Sequence, residues 1–305
     1  MILSDDNTVI LSDKIRIPGP IVPDRGELSI SSLDVFEMLQ DGALLNDNMV
    51  QGYINLPGSA FGSSHGVRVV NTNFFNTLRC DGWNNVANWM RSSGVVESNW
   101  DTAPIILVPI FSGHSESGHW SNLFRLGTNL KCTIYDDSLG EPVAGENAEK
   151  VHQEINRTPL LHDGTHWSIA RSPSQSVGGN ACGVHTVLKF AALLKALAGA
   201  NLFVIDQNAP RYTATCQMVG DMSVAEFEES GRIHMLESLC RGSINLDHPA
   251  VASLELRIRG PAALQLSIST STKYVQRTVE IIARYKYFIC HQYCTVVTIR
   301  TQVRR

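Results

Sequence analysis

Ser172-Pro173-Ser174-Gln175-Ser176-Val177-Gly178-Gly179-Asn180-Ala181-Cys182-Gly183 opens an apolar run that reaches Gly199. The Gly178-Gly179-Asn180 turn delivers Cys182 to the first position of a predicted helix. Val184, Val187, Leu188, Phe190, Ala191, Leu193, Leu194 and Leu197 cover most of its circumference, and His185, Lys189 and Lys195 are its strongly polar members. A helix that is apolar nearly all round belongs in a core, and its lysines make it a poor membrane span. Gly199 is placed to end it. A side chain at a helix N-terminus faces unpaired backbone N–H groups and the positive end of the dipole. Both favour thiolate, the nucleophilic form of cysteine. Gly183 leaves room for a substrate carbonyl beside the sulfur, and Gln175 is a candidate oxyanion donor. A lone cysteine reads most simply as a small buried hydrophobe; the stretch before it changes that reading.

His119-Trp120-Ser121-Asn122-Leu123-Phe124-Arg125-Leu126, a Gly127-Thr128-Asn129 turn and Leu130 to Asp137 predict a β-hairpin. A three-residue turn sets Leu126 opposite Leu130. One face then pairs Phe124 with Cys132 and Asn122 with Ile134. The other puts His119 opposite Asp137, within side-chain reach. Asp136 competes for the role: it faces Trp120 in this register, and a one-residue slip exchanges the two acids. A surface His beside a surface Asp is common, but a cysteine nucleophile needs a base and an acid that orients it. His119, Asp137, Gln175 and Cys182 occur in that order. His166-Trp167 repeats the His-Trp pair without a carboxylate-bearing strand after it, so Trp167 reads as core and His166 as a decoy.

Before the hairpin, residues 1–27 are broken by Pro, Gly and Asp into an extended lead-in. Ser31 and Asp34 resemble a capping box for a short helix with Leu33, Phe36 and Leu39 inward. Asn46 or Asp47 caps a second helix carrying Met49, Val50, Tyr53 and Ile54, stopped by Pro57-Gly58. Residues 58–66 read as a loop, and Val67 to Phe75 as a strand running into a helix. Trp83, Val86, Trp89 and Met90 have helical spacing and read as core. Pro104 to Phe111 predicts a buried strand. A helix is expected near Glu146 to Ile155, and a last one from Ser223 to Leu239.

With 305 residues, 43% hydrophobic and 18% charged, the chain has the composition of an ordinary globular protein. Its net charge of -4 points to neither nucleic acid nor membrane as partner. From Val251 on, nine Lys and Arg stand against two Asp and Glu, so that stretch is near +7 and the residues before it near -11. The basic residues there lack the interleaved aromatics of a nucleic-acid stacking platform. Seven cysteines, odd in number, widely spaced and without a Cys-x-x-Cys, argue against disulfides and zinc. Cys290 and Cys294 have no partners at metal spacing. No cofactor or metal is expected. Met1-Ile2-Leu3-Ser4-Asp5-Asp6 puts acids where a signal peptide has bases, so cytoplasm or nucleus is the expected compartment.

From about Leu28 to Leu239 the chain resembles the Ulp/sentrin-specific family of cysteine peptidases, of the adenoviral-protease-like clan. The matching pieces are Leu45-Asn46-Asp47, Val69-Val70-Asn71-Thr72 with Phe74-Phe75 and Trp89, and Leu107-Val108-Pro109-Ile110 leading to His119-Trp120. They continue through Tyr135-Asp136-Asp137-Ser138-Leu139 and Trp167 to Gln175 and Asn180-Ala181-Cys182-Gly183. The resemblance implies a papain-like α+β fold, with the cysteine helix packed on a sheet that carries His and Asp. It implies His119 as base, Asp137 as orienting acid, Cys182 as nucleophile, Gln175 in the oxyanion hole and Trp120 beside a channel for a Gly-Gly tail. The implied partner is a ubiquitin-like modifier, SUMO or related, and its conjugates, acted on by a monomer. The expected domains are the lead-in 1–27, a peptidase domain 28–244 and a basic tail 245–305. Leu44 departs from the family, which often has Trp there, and Ala181 departs where Asp is common. An acetyltransferase of the same clan and a non-catalytic modifier-binding module are the alternatives.

Overall fold

A computed structural model describes residues 2–3, 9–10, 14–17, 28–39, 43–58, 67–92, 105–113, 118–126, 132–158, 166–177, 179–199, 202–206 and 208–260. The chain divides into two compact units at 264, and residues 265–305 lie outside the described set. Two short antiparallel pairs open the chain: β1 (Ile2–Leu3) with β2 (Val9–Ile10), and β3 (Lys14–Ile17) with β4 (Leu28–Ser31). Helices α1 (Ser32–Leu39) and α2 (Asp47–Gly58) follow. Met49, Val50, Tyr53 and Ile54 of α2 are all fully buried, and Asn46 Oδ1 caps the helix through the Met49 N–H at 3.0 Å.

The main sheet has the order β5-β6-β7-β8-β9, built from β5 (Val67–Val69), β6 (Ile105–Ser112), β7 (His119–Leu126), β8 (Cys132–Asp136) and β9 (His166–Ile169). The strands β6, β7 and β8 run antiparallel in turn, while β5 and β9 lie parallel to their neighbours. Ile105 to Ile110 are buried throughout, as a continuous apolar run predicts for a strand covered on both faces. On one face Ile106, Val108, Leu123 and Tyr135 pack with Phe74 and Leu78 of α3 (Phe74–Asp81), Val86 of α4 (Trp83–Ser92) and Val151 of α5 (Val143–Ile155). Against β7 lies α6 (Cys182–Ala198), where Asn122 Nδ2 donates to the Thr186 carbonyl at 3.2 Å. The mixed α+β fold is thus arranged as expected, with the cysteine helix on the sheet that carries His119.

A second sheet, of order β10-β12-β11, packs on α6. It comprises β10 (Phe203–Ile205), β11 (Thr213–Met218) and β12 (Leu254–Gly260). Between β11 and β12 come α7 (Val224–Arg241) and the single turn α8 (Pro249–Ala252). Ser223 and Glu226 form a full capping box on α7, and Gly242 ends it at φ 68°, a left-handed conformation that glycine adopts without strain.

Three expectations change. The hairpin pairs Phe124 with Ile134 and Leu126 with Cys132, two residues away from the predicted register, and residues 127–131 connect its strands. A two-residue shift keeps each side chain on its predicted face. The expected turn at Gly127-Thr128-Asn129 lies outside the described residues. Helix α1 buries Val35 and Met38, at 2% and 1% exposure, and leaves Phe36 at 62% and Leu39 at 48%. The sequence offers two apolar stripes, and the guanidinium of Arg232, donating to the Met38 and Ala43 carbonyls, fixes the end of α1 against α7. Residues 249–260, grouped by sequence with the tail, form α8 and the central strand of the second sheet. The strand-like runs that the tail sequence also offers, Leu264 to Ile268 and Thr295 to Ile299, and the side chains of Trp89 and Met90, lie outside the described residues.

Candidate active site

Cys182 is the first residue of α6 and is 2% exposed. Ala181 precedes it with no side chain to cap the helix, and the first intrahelical bond runs from His185 N to Ala181 O at 3.0 Å. The N–H groups of Cys182, Gly183 and Val184 therefore lie ahead of the helical ladder, where an anion is stabilised.

His119 starts β7, and Asp137 follows directly on β8. Their strands put the imidazole and the carboxylate at the same end of the sheet. His119 Nε2 and Asp137 Oδ1 are 2.6 Å apart. The two-residue register shift makes this contact diagonal rather than directly cross-strand. Asp137 is 4% exposed and fully engaged. Its Oδ1 also accepts the Leu139 N–H at 2.8 Å, and its Oδ2 accepts Tyr135 OH at 2.8 Å and Asn147 Nδ2 at 3.2 Å. Burial pushes the carboxyl up, but His119 and these donors hold it below its usual value. Burial likewise pulls His119 down; hydrogen bonds and charge from Asp137 and Cys182 outweigh it and carry the pKa from 6.5 to about 9. With Nε2 on Asp137, Nδ1 is the ring nitrogen left to serve Cys182, which with Asp137 raises the His119 pKa.

Asp136, the competing acid, points elsewhere. Its Oδ1 accepts Lys189 Nζ of α6 at 2.9 Å, both groups buried, and the hydroxyl of half-buried Ser172. Adjacent strand residues face opposite ways, so one acid reaches the histidine and the other ties the helix to the sheet.

Gln175 is held by the residue beside the acid. Its backbone N–H donates to the Ser138 carbonyl at 2.8 Å, and its Oε1 accepts the Ser138 hydroxyl at 3.0 Å. Its Nε2 donates to the Gly179 carbonyl at 2.6 Å, which leaves one amide hydrogen for another acceptor. Glu228 of α7 fastens the next residue, accepting the Ser176 N–H at 2.8 Å and hydroxyl at 2.7 Å, while His185 Nε2 sits 3.1 Å from the same carboxylate. Sequence reasoning missed this clamp, because nothing in the spacing links residue 228 to residue 176.

Trp120 is 1% exposed and lies against Phe111, with ring centroids 4.8 Å apart. Its indole donates to the Leu45 carbonyl at 2.7 Å. Leu45 in turn fills the space over Gly183, where an added Cβ would come within 2.8 Å of the Leu45 Cβ. Leu45 thus takes the side of Gly183 on which a Cβ would stand. His166 is exposed on the four-residue strand β9, away from the cluster of His119, Asp137 and Cys182. All five described cysteines are free, and among the described residues no three His, Cys, Asp or Glu gather as a metal site. No helix among them is long and apolar enough to cross a membrane.

A scan of protein-family models gives no match, and neither does a search of curated proteins. Among solved structures, the Chaetomium thermophilum Ulp1-like SUMO protease catalytic domain matches at 19% identity and a TM-score of 0.48, over 72% of this chain and 82% of that one. The SUMO protease Ulp1 with its catalytic cysteine oxidised to a sulfenic acid matches at 18% and 0.47, over 72% and 86%. The C-terminal Ulp1 protease domain in complex with Smt3, the yeast ortholog of SUMO, matches at 18% and 0.46, over 76% and 90%. Each of these three solved structures, to which this chain is similar, is a SUMO protease.

Proposed function

We propose that this chain is a cysteine peptidase that cleaves after the C-terminal Gly-Gly of a ubiquitin-like modifier, with SUMO the first candidate, by maturation, by isopeptide cleavage, or both. The observation that carries the reading is the 2.6 Å His119–Asp137 contact beside a cysteine that opens a buried helix. His119 takes the thiol proton, and the Cys182 sulfur attacks the glycine carbonyl carbon. The oxyanion is held by the free amide hydrogen of Gln175 and by N–H groups at the start of α6. His119 then gives its proton to the departing amine as the C–N bond breaks, leaving a thioester on Cys182. Water, deprotonated by His119, attacks the thioester and restores the thiol. Asp137 keeps the imidazole in the tautomer that presents Nδ1 to sulfur. The Gly-Gly preference rests on the family resemblance, and Leu44 stands where that family often has Trp.

The test is covalent labelling by a panel of ubiquitin-like proteins carrying a thiol-reactive electrophile at the terminal glycine. An adduct with at least one modifier is expected, absent in Cys182→Ala and slowed at least about 100-fold in His119→Ala. No adduct from folded protein with any modifier overturns the reading and directs attention to acetyl-coenzyme A as acyl donor.

A further inference from the structure

The second sheet has two unlike faces. Leu254, Leu256 and Ile258 of β12, with Ala214 and Cys216 of β11, are buried on the side of α6. The opposite face sets Arg259 across from Thr213, Arg257 across from Thr215 and Glu255 across from Gln217. With Ile169 at the end of β9, Arg171 just after it and Arg211 just before β11, this face lines a cavity of about 1020 Å³. Four arginines and one glutamate thus converge on one groove. They do so although the residues before 251, including Arg171 and Arg211, carry a net charge near -11.

These cations are loosely held. Arg257 reaches Glu255 on its own strand, and Arg259 lies 3.7 Å from Asp206, but their side chains are 51% and 61% exposed. Pairs this exposed are weak and exchange readily for another carboxylate. Arg171 and Arg211 have no carboxylate within 4.0 Å among the described residues. Arg257 and Arg259 sit two residues apart on one strand, a repeat of about 7 Å. Alternate side chains of an extended peptide share that repeat. A guanidinium takes a carboxylate in bidentate fashion, and the threonine hydroxyls between the arginines add donors.

We propose that this groove binds an extended acidic peptide segment of a partner protein, with carboxylates at alternate positions meeting Arg257 and Arg259, and Arg171 and Arg211 closing the rim. The surface is independent of Cys182 chemistry. Its test is fluorescence anisotropy of a fluorescein-labelled Ser-Glu repeat peptide titrated with the full chain. Saturable binding is expected, weakened by added salt and equal in Cys182→Ala. Binding should fall at least about tenfold in Arg257→Gln/Arg259→Gln and again in Arg171→Gln/Arg211→Gln, with unchanged thermal unfolding because these side chains are exposed. A Ser-Lys repeat should not bind. Equal affinity in both arginine pairs overturns the proposal, and Lys273→Glu/Arg277→Glu tells whether the basic stretch beyond 260 captured the peptide instead. Groove-dependent binding of single-stranded RNA without binding of the peptide also overturns it.

Discussion

His119 and Asp137 stabilise one another in opposite protonation directions. The folded pKa of His119, about 9, lies above its unfolded value near 6.5. Its contribution is therefore complete below pH 6.5 and is lost as pH rises through about 9. Asp137 is held below its usual value, so its contribution is present above the ordinary carboxylate range and is lost as pH falls. The pair is strongest between those limits, where the shift on His119 is worth about 3 kcal/mol. Asp137→Asn removes the main opposition to burial, so the NMR titration midpoint of the His119 ring should fall by at least about 1 pH unit. An unchanged midpoint would mean that Cys182 alone holds the imidazolium. Gly183 supports a second prediction. Gly183→Ala forces Leu45 to move, since its Cβ would approach Leu45 to 2.8 Å. It should cost about 1–3 kcal/mol in denaturant unfolding and slow alkylation of Cys182. Pairing it with Leu45→Ala should cost less than the two single changes together; strict additivity would separate the two residues.

Secondary structure and pattern carried far here because most elements obey a single rule. Met49, Val50, Tyr53 and Ile54 lie one helical face apart, and all are buried. The β7–β8 pair is instructive in the other direction. The sequence specifies which side chains share a face, through alternation, but alternation is blind to a two-residue shift, and the register lies two residues from the predicted one. The histidine still finds Asp137, because both shared a face in either register. The choice of stripe on α1 was not legible: Val35/Met38 and Phe36/Leu39 are both apolar, and Arg232, distant in sequence, decides between them. The Glu228 clamp on Ser176 was hidden for the same reason. Beneath the site, α6 is tied to β8 by Lys189 and Asp136, both about 1% exposed. Lys189→Ala leaves a buried carboxylate with no cation and should destabilise by about 3–5 kcal/mol, whereas Lys189→Met with Asp136→Asn should recover much of that loss. Thermal unfolding checks both; a Lys189→Ala loss under about 1 kcal/mol would mean that the carboxylate is already hydrated.

The cysteine helix is held from two sides, by the five-stranded sheet and by the second sheet, and the second depends on residues far beyond the catalytic motifs. Strand β12 pairs with β10 and β11 at once, so its removal dissolves that sheet rather than trimming an edge. Leu254, Leu256 and Ile258 are each at most 4% exposed. At roughly 2 kcal/mol per buried aliphatic side chain, losing the three costs about 6 kcal/mol, against a total stability on the order of 5–15 kcal/mol. Exposed apolar surface on α6 and orphaned strand groups on β10 and β11 add to that. A chain ending at 244, where the family resemblance has already stopped, should therefore lose its cooperative thermal transition and the selective alkylation of Cys182. A chain ending at 264 keeps β12 and should keep both. If the 244 chain unfolds at the temperature of the full chain, the second sheet is not part of the core that positions Cys182. If the 264 chain fails instead, residues 265–305 contribute to stability in a way that the packing of β12 on α6 does not account for.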